Sequence, residues 1–428
     1  MRHSILRKSG VAASLWIGCL LLSAIPSVAE TKADAQPLQL DRLIEISLDE
    51  NPQLEALRKK IVAERAKVPQ ARSLPDPMLA VMFDNVLRPD RGIGVEARQM
   101  VPWPGKLRLM SQAAALSADR TVTEYTEKAY EVVEGVKKGY YDLYFVEKSI
   151  ELALENKAVL ADFVKIAEVK YSVGAGIQQD VLRAQVAQSR ILDDLLMLRQ
   201  QQTAARARLN AWLNRPPDAP LGPATALAMR KVMLGQRALE EIATDRRAML
   251  KGMRLMIEEA DTMHTLARRE LKPDFEARLG VVPGEGMGAG GNRVTGMVML
   301  QLPLYHRTKQ DKAIEQRAAE LKEAQSEYEA QKTMVFSMIK DTLAMLDKSA
   351  GSAELFQTGI IPQSQLSLES AQAGYQVNKV DFLTLLDNQV SVYNALREYY
   401  RATADYEKGV AELERAIGSP LEASEAKS

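Results

Sequence analysis

Two stretches of this sequence decide the fold, QMVPWPGKLRLM at residues 99–110 and MLQLPLYHRTKQD at residues 299–311. In each, a run that alternates apolar and polar residues reaches a proline, then an aromatic residue and a basic residue. A long segment with helical spacing follows both stretches. Because alternation is typical of a strand and spacing of three or four is typical of a helix, the chain makes one strand-to-helix transition twice.

The repetition extends along the whole chain. At 428 residues the chain exceeds one ordinary domain. Four landmarks recur in order at offsets of 198 to 204 residues, which indicates an internal duplication. The landmark pairs are Pro75-Asp76 with Pro273-Asp274, Pro102 with Pro303, Tyr171-Ser172-Val173 with Tyr375-Gln376-Val377, and Leu213 with Ile417. We predict a first repeat at residues 30–223, a second at 224–420 and a flexible tail at 421–428.

Each repeat is predicted to hold a hairpin of two very long helices. Residues 107–172 contain no proline and only two glycines, so one helix of about 100 Å is expected there. Its small and apolar residues recur three or four positions apart, as in coiled coils. The predicted hairpin helices are 107–172 and 178–213, then 308–373 and 381–417, with interruptions at Gly351 and at 359–362. Shorter helices are predicted at 40–72 and 239–271.

A pair of strands is predicted before each hairpin. The predicted strands are 76–86, 93–102, 274–283 and 293–303. In the third, Phe275, Ala277 and Leu279 alternate with Glu276 and Arg278. This alternation is expected for a strand with one face toward lipid and the other toward a water-filled lumen. Four strands cannot close a spanning barrel, and open edges are costly in lipid. The chain is therefore expected to oligomerise, and three copies would supply twelve strands and twelve long helices.

The first 29 residues are predicted to be a secretory signal peptide. A basic start precedes the apolar run of residues 11–25, and Ser27-Val28-Ala29 is a small-x-small cleavage site. Lipidation at Cys19 is the alternative, although the apolar run continues beyond it. Cleavage would remove three basic residues, no acidic residue and the single cysteine, leaving a net charge of −3. A near-neutral exported protein has no electrostatic basis for binding nucleic acid.

Six stretches of the sequence form a specific set of motifs: ENPQLEALRKKI (50–61), LPDP (74–77), VPWPGK (101–106), KYSVGAGIQQDVLRAQ (170–185), LQLPLY (300–305) and GYQVNKVDFLTLLDNQ (374–389). In their order, spacing and duplication, the sequence resembles the TolC family of outer-membrane efflux channels. The resemblance covers about residues 40–420.

The resemblance implies a mainly α fold with a membrane β part. Three copies would form a twelve-stranded β-barrel in outer-membrane lipid, continued by a twelve-helix tunnel across the periplasm. Such a homotrimer is a passive exit duct of a tripartite pump, with a periplasmic adaptor and an inner-membrane transporter. It performs no chemistry and needs no cofactor. The sequence as a whole resembles the metal-resistance members of the family. This favours metal-ion or small-molecule efflux with a transporter of the resistance-nodulation-division class, and the substrate stays open.

The resemblance places the adaptor contacts at the periplasmic ends of the hairpins. Those ends are two turns of four residues. The predicted contact residues are Val173, Gly174, Ala175 and Gly176 in the first turn, and Val377, Asn378, Lys379 and Val380 in the second. The alternative is that the glycines and the asparagine only supply the backbone conformations of tight turns.

The resemblance also places an acidic constriction near the start of the final helix. Asp387 matches a typical acidic position, and threefold symmetry would turn it into a ring that favours cations. One turn earlier, where relatives carry a second acid, this chain has Thr384. Asp381 could replace that acid or could cap the helix. A solvated surface charge is the alternative for Asp387.

The barrel–helix junctions are predicted at Pro102 with Trp103, and at Pro303 with Tyr305. Aromatic rings there suit a membrane interface, or they could plug the junction. The loop at 283–292 is glycine-rich but lacks the closing residues of a phosphate loop, so an external hairpin loop is expected. No residue cluster has metal-ligand spacing. Methionines in the strands could offer thioethers to soft metal ions, but apolar filler is the favoured interpretation.

Two other classes of protein share part of this pattern. A periplasmic adaptor also has a long helical hairpin, but it carries one hairpin with lipoyl-like modules, whereas this chain has two hairpins and none of those modules. A soluble coiled-coil scaffold would not need four amphipathic strands of ten residues.

Overall fold

A computed structural model describes residues 37–83, 93–225, 229, 232–282 and 291–421. They belong to one compact unit that begins at Gln36. The predicted signal peptide with Cys19, the end of the first strand at 84–86, most of the loop at 283–292 and nearly all of the tail lie outside the described residues.

The described part of the chain is mainly helical, as expected. Helices make up 74% of it, and none of these helices is both long and apolar enough to cross a membrane. The helices are α1 (Leu40–Glu50), α2 (Pro52–Arg72), α3 (Lys106–Ser172), α4 (Gln178–Trp212), α5 (Gln236–Arg246), α6 (Ala248–Arg269), α7 (Gln310–Leu355), α8 (Ile361–Gln376) and α9 (Phe382–Ile417).

Helix α3 is the axis of the unit. It is 67 residues long and packs against α2, α4, α6 and α9. Small residues let these helices approach closely: a Cβ on Gly135 would overlap the ring of Trp212 in α4. Buried apolar clusters follow one another along the bundle, one near the hairpin ends around Phe163 and Phe382, others around Leu209 and around Ile339.

Two predicted helices are each split in the structure, so the prediction of single helices at 40–72 and 239–271 was wrong. Asn51 takes an extended conformation before Pro52, as residues before proline do, and its side chain caps α2 by accepting from the Gln53 and Leu54 amides. Arg247 is also extended, between α5 and α6, where its buried Nη1 donates to the Ala416 carbonyl at 3.2 Å.

The predicted helix at 308–373 differs in two places. Gly351 does not interrupt α7, because a single glycine costs only about 1 kcal/mol and the helix is held there by the buried Ala353. The interruption expected at 359–362 takes the form of a π-helical turn, Phe356–Ile360, which leads into α8 with Pro362 near its start.

Four antiparallel strands form one sheet in the order β1-β2-β3-β4. They are β1 (Met78–Phe83), β2 (Ile93–Val101), β3 (Asp274–Val282) and β4 (Arg293–Gln301). The central β2–β3 pair joins the two repeats, and β1 and β4 form the edges. The second and fourth strands end before Pro102 and Pro303, respectively, because proline has no N–H for a ladder.

The register sorts the side chains onto two chemically different faces. Paired residues share a face, so Leu79, Ala97, Leu279 and Gly296 lie on the same side. That side, the apolar face, carries no charged residue in the described strands. The opposite side, the charged face, carries Glu96, Arg98, Glu276 and Arg278, and also Met78, Met82, Met100, Met297 and Met299.

Candidate functional site

The two hairpin ends are built as the same turn. In the first, the amides of Ala175 and Gly176 donate to the Lys170 carbonyl; in the second, those of Lys379 and Val380 donate to the Gly374 carbonyl, 204 residues later. Gly174 and Asn378 occupy the equivalent left-handed position, with φ of 74° and 59°. Glycine and asparagine are the residues that accept this conformation most readily. The structure therefore accounts for both residue types by turn geometry.

The Lys170 side chain joins the two hairpin ends. Lys170 Nζ lies 2.7 Å from Asn378 Oδ1, also donates to the Tyr375 carbonyl, and sits 4.1 Å from the centre of the Tyr375 ring. Beneath it Tyr375 packs edge-on against Phe382. Sequence reasoning missed Lys170 because its partners are more than 200 residues away.

The start of α9 places the predicted constriction residues on its exposed side. Asp381 Oδ1 accepts from the Thr384 amide at 2.9 Å and so caps the helix. Hydrogen bonds from the Thr384 hydroxyl and amide hold the pKa of Asp381 below its usual value. Thr384 and Asp387 are both exposed and one turn apart, whereas Phe382 and Leu385 are buried against the neighbouring helices.

In the other hairpin, the pKa of the aspartate at the start of α4 is shifted in the opposite direction. Burial raises the pKa of Asp180 at the start of α4, with Arg183 opposing that shift and Asp381 adding to it. The hairpin ends therefore combine two carboxylates and the Lys170 ammonium within a small region.

The first strand-to-helix connection, residues 101–106, is called here the first junction, and it is enclosed. Asp274 Oδ1 accepts from the Trp103 amide at 2.7 Å and from Lys106 Nζ at 2.8 Å. Lys106 is only 7% exposed. The Trp103 ring stacks on Phe275 with the ring centres 5.5 Å apart. The Trp103 ring thus packs onto the side chain of Phe275, near the start of β3.

The equivalent connection, residues 302–310, is the second junction, and it is open. Tyr305 is 81% exposed and Leu304 is 76% exposed. His306 Nδ1 lies 3.1 Å from Asp311 Oδ2 on the surface. The structure therefore does not give Tyr305 the environment of Trp103, and Pro303 is half-buried beside it.

The charged face of the sheet holds a small ion network. Arg278 Nε lies 2.7 Å from Glu276, its Nη1 lies 3.9 Å from Glu96, and Glu96 also pairs with Arg98. The apolar face offers no such groups, and Leu79 and Val298 on it are each 73% exposed. Within the described ranges, no group of three histidine, cysteine, aspartate or glutamate side chains could hold a metal ion.

The family profile described as Outer membrane efflux protein matches residues 43–215 and again residues 240–419. The chain belongs to this family. The TolC-family resemblance stated from the motifs is thereby confirmed. The family description places this efflux protein in the outer membrane.

Individual relatives are distant but match over nearly the full length. The efflux protein is 21% identical to the cobalt-zinc-cadmium resistance protein CzcC of Cupriavidus metallidurans, over 90% of this chain and 91% of that one. The solved structure of CusC superposes with a TM-score of 0.77 at 16% identity, covering 90% of this chain and 93% of that chain. VceC of Vibrio cholerae gives 0.75 at 16% identity, covering 90% and 97%.

Proposed function

We propose that this efflux protein is a homotrimeric exit duct across the outer membrane and periplasm. The observation that carries the proposal is the sheet, with an apolar face, a charged face and two unpaired edges. A sheet of this kind suits lipid on one side and water on the other. Its free edges would leave backbone groups unsatisfied in lipid, at several kcal/mol each.

Three copies remove both edges at once. Each copy brings four strands, so edge-to-edge pairing of three copies closes a barrel of twelve strands, a size found among outer-membrane barrels. Each copy also brings a pair of hairpins, α3–α4 and α7–α8–α9, so a tunnel of twelve helix lengths continues the barrel.

The family context supports a proposal for the partners and the cargo. The hairpin ends, Val173 to Gly176 and Val377 to Val380, are the proposed contact surface for a periplasmic adaptor. An inner-membrane transporter, of the resistance-nodulation-division class, would supply the energy. The name of CzcC supports cobalt, zinc or cadmium ions as cargo. The duct itself is proposed to be passive, without a catalytic step or a cofactor.

We further propose that Asp387 lines the constriction of the tunnel. Its exposure at the start of α9, one turn from Thr384, supports this position. Three copies of one aspartate would concentrate cations at the narrowest point. Asp381 serves as the cap of α9, so its contribution to the pore would be indirect.

The first experiment is light-scattering mass analysis and planar-bilayer conductance of the purified, detergent-extracted protein. The expected results are a trimer and a small, cation-preferring conductance. Asp387→Ala should reduce cation preference or divalent-ion block. Asp41→Ala, an exposed aspartate on the short helix α1, is the matched control and should leave selectivity unchanged.

The outcomes separate the two parts of the proposal. A monomer without conductance would contradict the exit duct. A conducting trimer with unchanged selectivity in Asp387→Ala would keep the duct and reject Asp387 as the constriction residue.

A further inference from the structure

The duplication provides a template for how the chain meets a second copy. Inside the chain, β2 of the first repeat pairs with β3 of the second. By position in the repeat, β4 corresponds to β2 and β1 corresponds to β3. Both β4 and β1 are free edges of the sheet. The β2–β3 pair therefore shows how β4 of one copy would meet β1 of another.

The register can be transferred with the repeat offsets, 201 residues for β2 to β4 and 198 residues for β3 to β1. The pair Gln99–Ala277 becomes Leu300–Leu79, and the pair Ala97–Leu279 becomes Val298–Val81. The four residues of the new pairs all lie on the apolar face. Because a slip by one residue would set apolar side chains against the charged face, this agreement is an independent check on the transfer.

The same offsets transfer the ion pair of the first junction. Lys106 corresponds to Arg307, and Asp274 corresponds to Asp76. The charges keep their signs, because arginine replaces lysine and aspartate stays aspartate. Asp76 and Arg307 are both exposed, and neither forms an ion pair with the part of the chain that the structure describes.

The apolar groups of the second junction support the same partner. Trp103 is covered by Phe275 in the first junction. Its counterpart Leu304 and the next residue Tyr305 are among the most exposed large apolar side chains of the described residues. A second copy placed by the β2–β3 template would cover this end of β4.

We propose that Arg307 of each subunit forms an intersubunit ion pair with Asp76 of the partner subunit and thereby fixes the register of the β4–β1 seam. This inference rests on the proposed homotrimer and adds the residues that set its closure. The pair repeats across the seam the bridge that Lys106 and Asp274 make within the chain.

A charge-reversal series on the full-length protein tests the pair. Arg307→Glu and Asp76→Lys should each lose most of the heat-resistant trimer seen on gels, because each sets two like charges at the seam. The combination of the two should restore most of the trimer. Combining Arg307→Glu with Asp311→Lys, a reversal of the nearby acid that pairs with His306, should restore none of it.

A cross-linking experiment covers the case in which a reversed variant fails to assemble for another reason. In a Cys19→Ser background, Asp76→Cys with Arg307→Cys should give covalent trimers with a short bismaleimide. Asp76→Cys with Asp387→Cys is the matched control and should give none, since Asp387 lies on α9 near the hairpin ends.

The results distinguish this inference from the proposed function. A wild-type trimer with conductance, but without rescue and without cross-linked trimers, would overturn the ion pair alone. A wild-type protein that is not a trimer would overturn both. Rescue together with specific cross-linking would establish the pair and its register.

Discussion

The two junctions have related sequences and different surroundings. At the first, Lys106 is buried against Asp274 and Trp103 lies on Phe275. At the second, Leu304 and Tyr305 lie open to solvent. The first junction follows a central strand, whose neighbour β3 comes from the same chain, and the second follows the edge strand β4. A duplicated motif thus keeps its local pattern, while its exposure differs with the position of the preceding strand in the sheet.

The largest expected difference between the junctions comes from Asp274→Ala. It removes two hydrogen bonds and leaves the Lys106 ammonium without its carboxylate, so we expect a loss of about 3 kcal/mol in the free energy of unfolding. Asp311→Ala at the second junction removes an exposed contact with His306 and should cost under about 0.5 kcal/mol. Thermal unfolding in detergent compares them. Equal losses would contradict the enclosed-versus-open comparison.

The next largest difference in the free energy of unfolding is expected between substitutions of Trp103 and Tyr305. Trp103→Ala removes a half-buried ring and its stacking, with an expected loss of about 2 kcal/mol. Tyr305→Ala should cost little within one subunit, since the ring is exposed. Its effect should therefore appear in the trimer and vanish in separated subunits. Denaturant unfolding of both forms measures this, and a large loss in separated Tyr305→Ala subunits would mean that the ring is covered within its own chain.

A smaller effect is expected where the repeats touch at the hairpin ends. Lys170→Met removes the bond to Asn378 and the ammonium over the Tyr375 ring, worth about 1 kcal/mol, or about fivefold in the balance between tied and separated ends. Bilayer recordings should then show a higher conductance. Lys379→Ala, in the turn itself, is the control. An unchanged conductance in Lys170→Met would show that this tie does not limit the opening.

The smallest effect is expected for the N-terminal caps of α4 and α9, the second helices of the two hairpins. Asp381 caps α9, while Ile177 precedes α4 without a side-chain cap. Because the pKa of Asp381 is lowered in the fold, its contribution is complete above the ordinary aspartate value and is lost as pH falls through the lowered pKa. The amide shift of Thr384 should follow that titration in the wild type and stay flat in Asp381→Asn. A flat wild-type profile would show that Asp381 does not cap α9.

The sequence was sufficient for the order of helices and strands, because period and proline positions are local signals. It also offered the cap as one role for Asp381, which the structure shows. The breaks at Asn51 and Arg247 were not predicted. Pro52 after Asn51 is a local signal for the first break that helical spacing alone does not use, whereas no proline follows Arg247 to mark the second. The Lys106–Asp274 bridge and the Lys170 tie were missed for another reason. Each joins residues more than 160 positions apart, and periodicity does not indicate which residues of the two repeats lie close in space.

One contrast between the hairpins has a mechanical consequence. Helix α3 runs without a break from the enclosed junction at Lys106 to the tie at Lys170. If it tilted as a rigid rod, an angle of about 3° would displace its far end by about 5 Å. The opposing arm contains the π-helical turn at Phe356–Ile360, where the regular hydrogen-bond ladder changes. Bending there would let the second hairpin swing at its tip while its other end, beside the sheet, stays at rest.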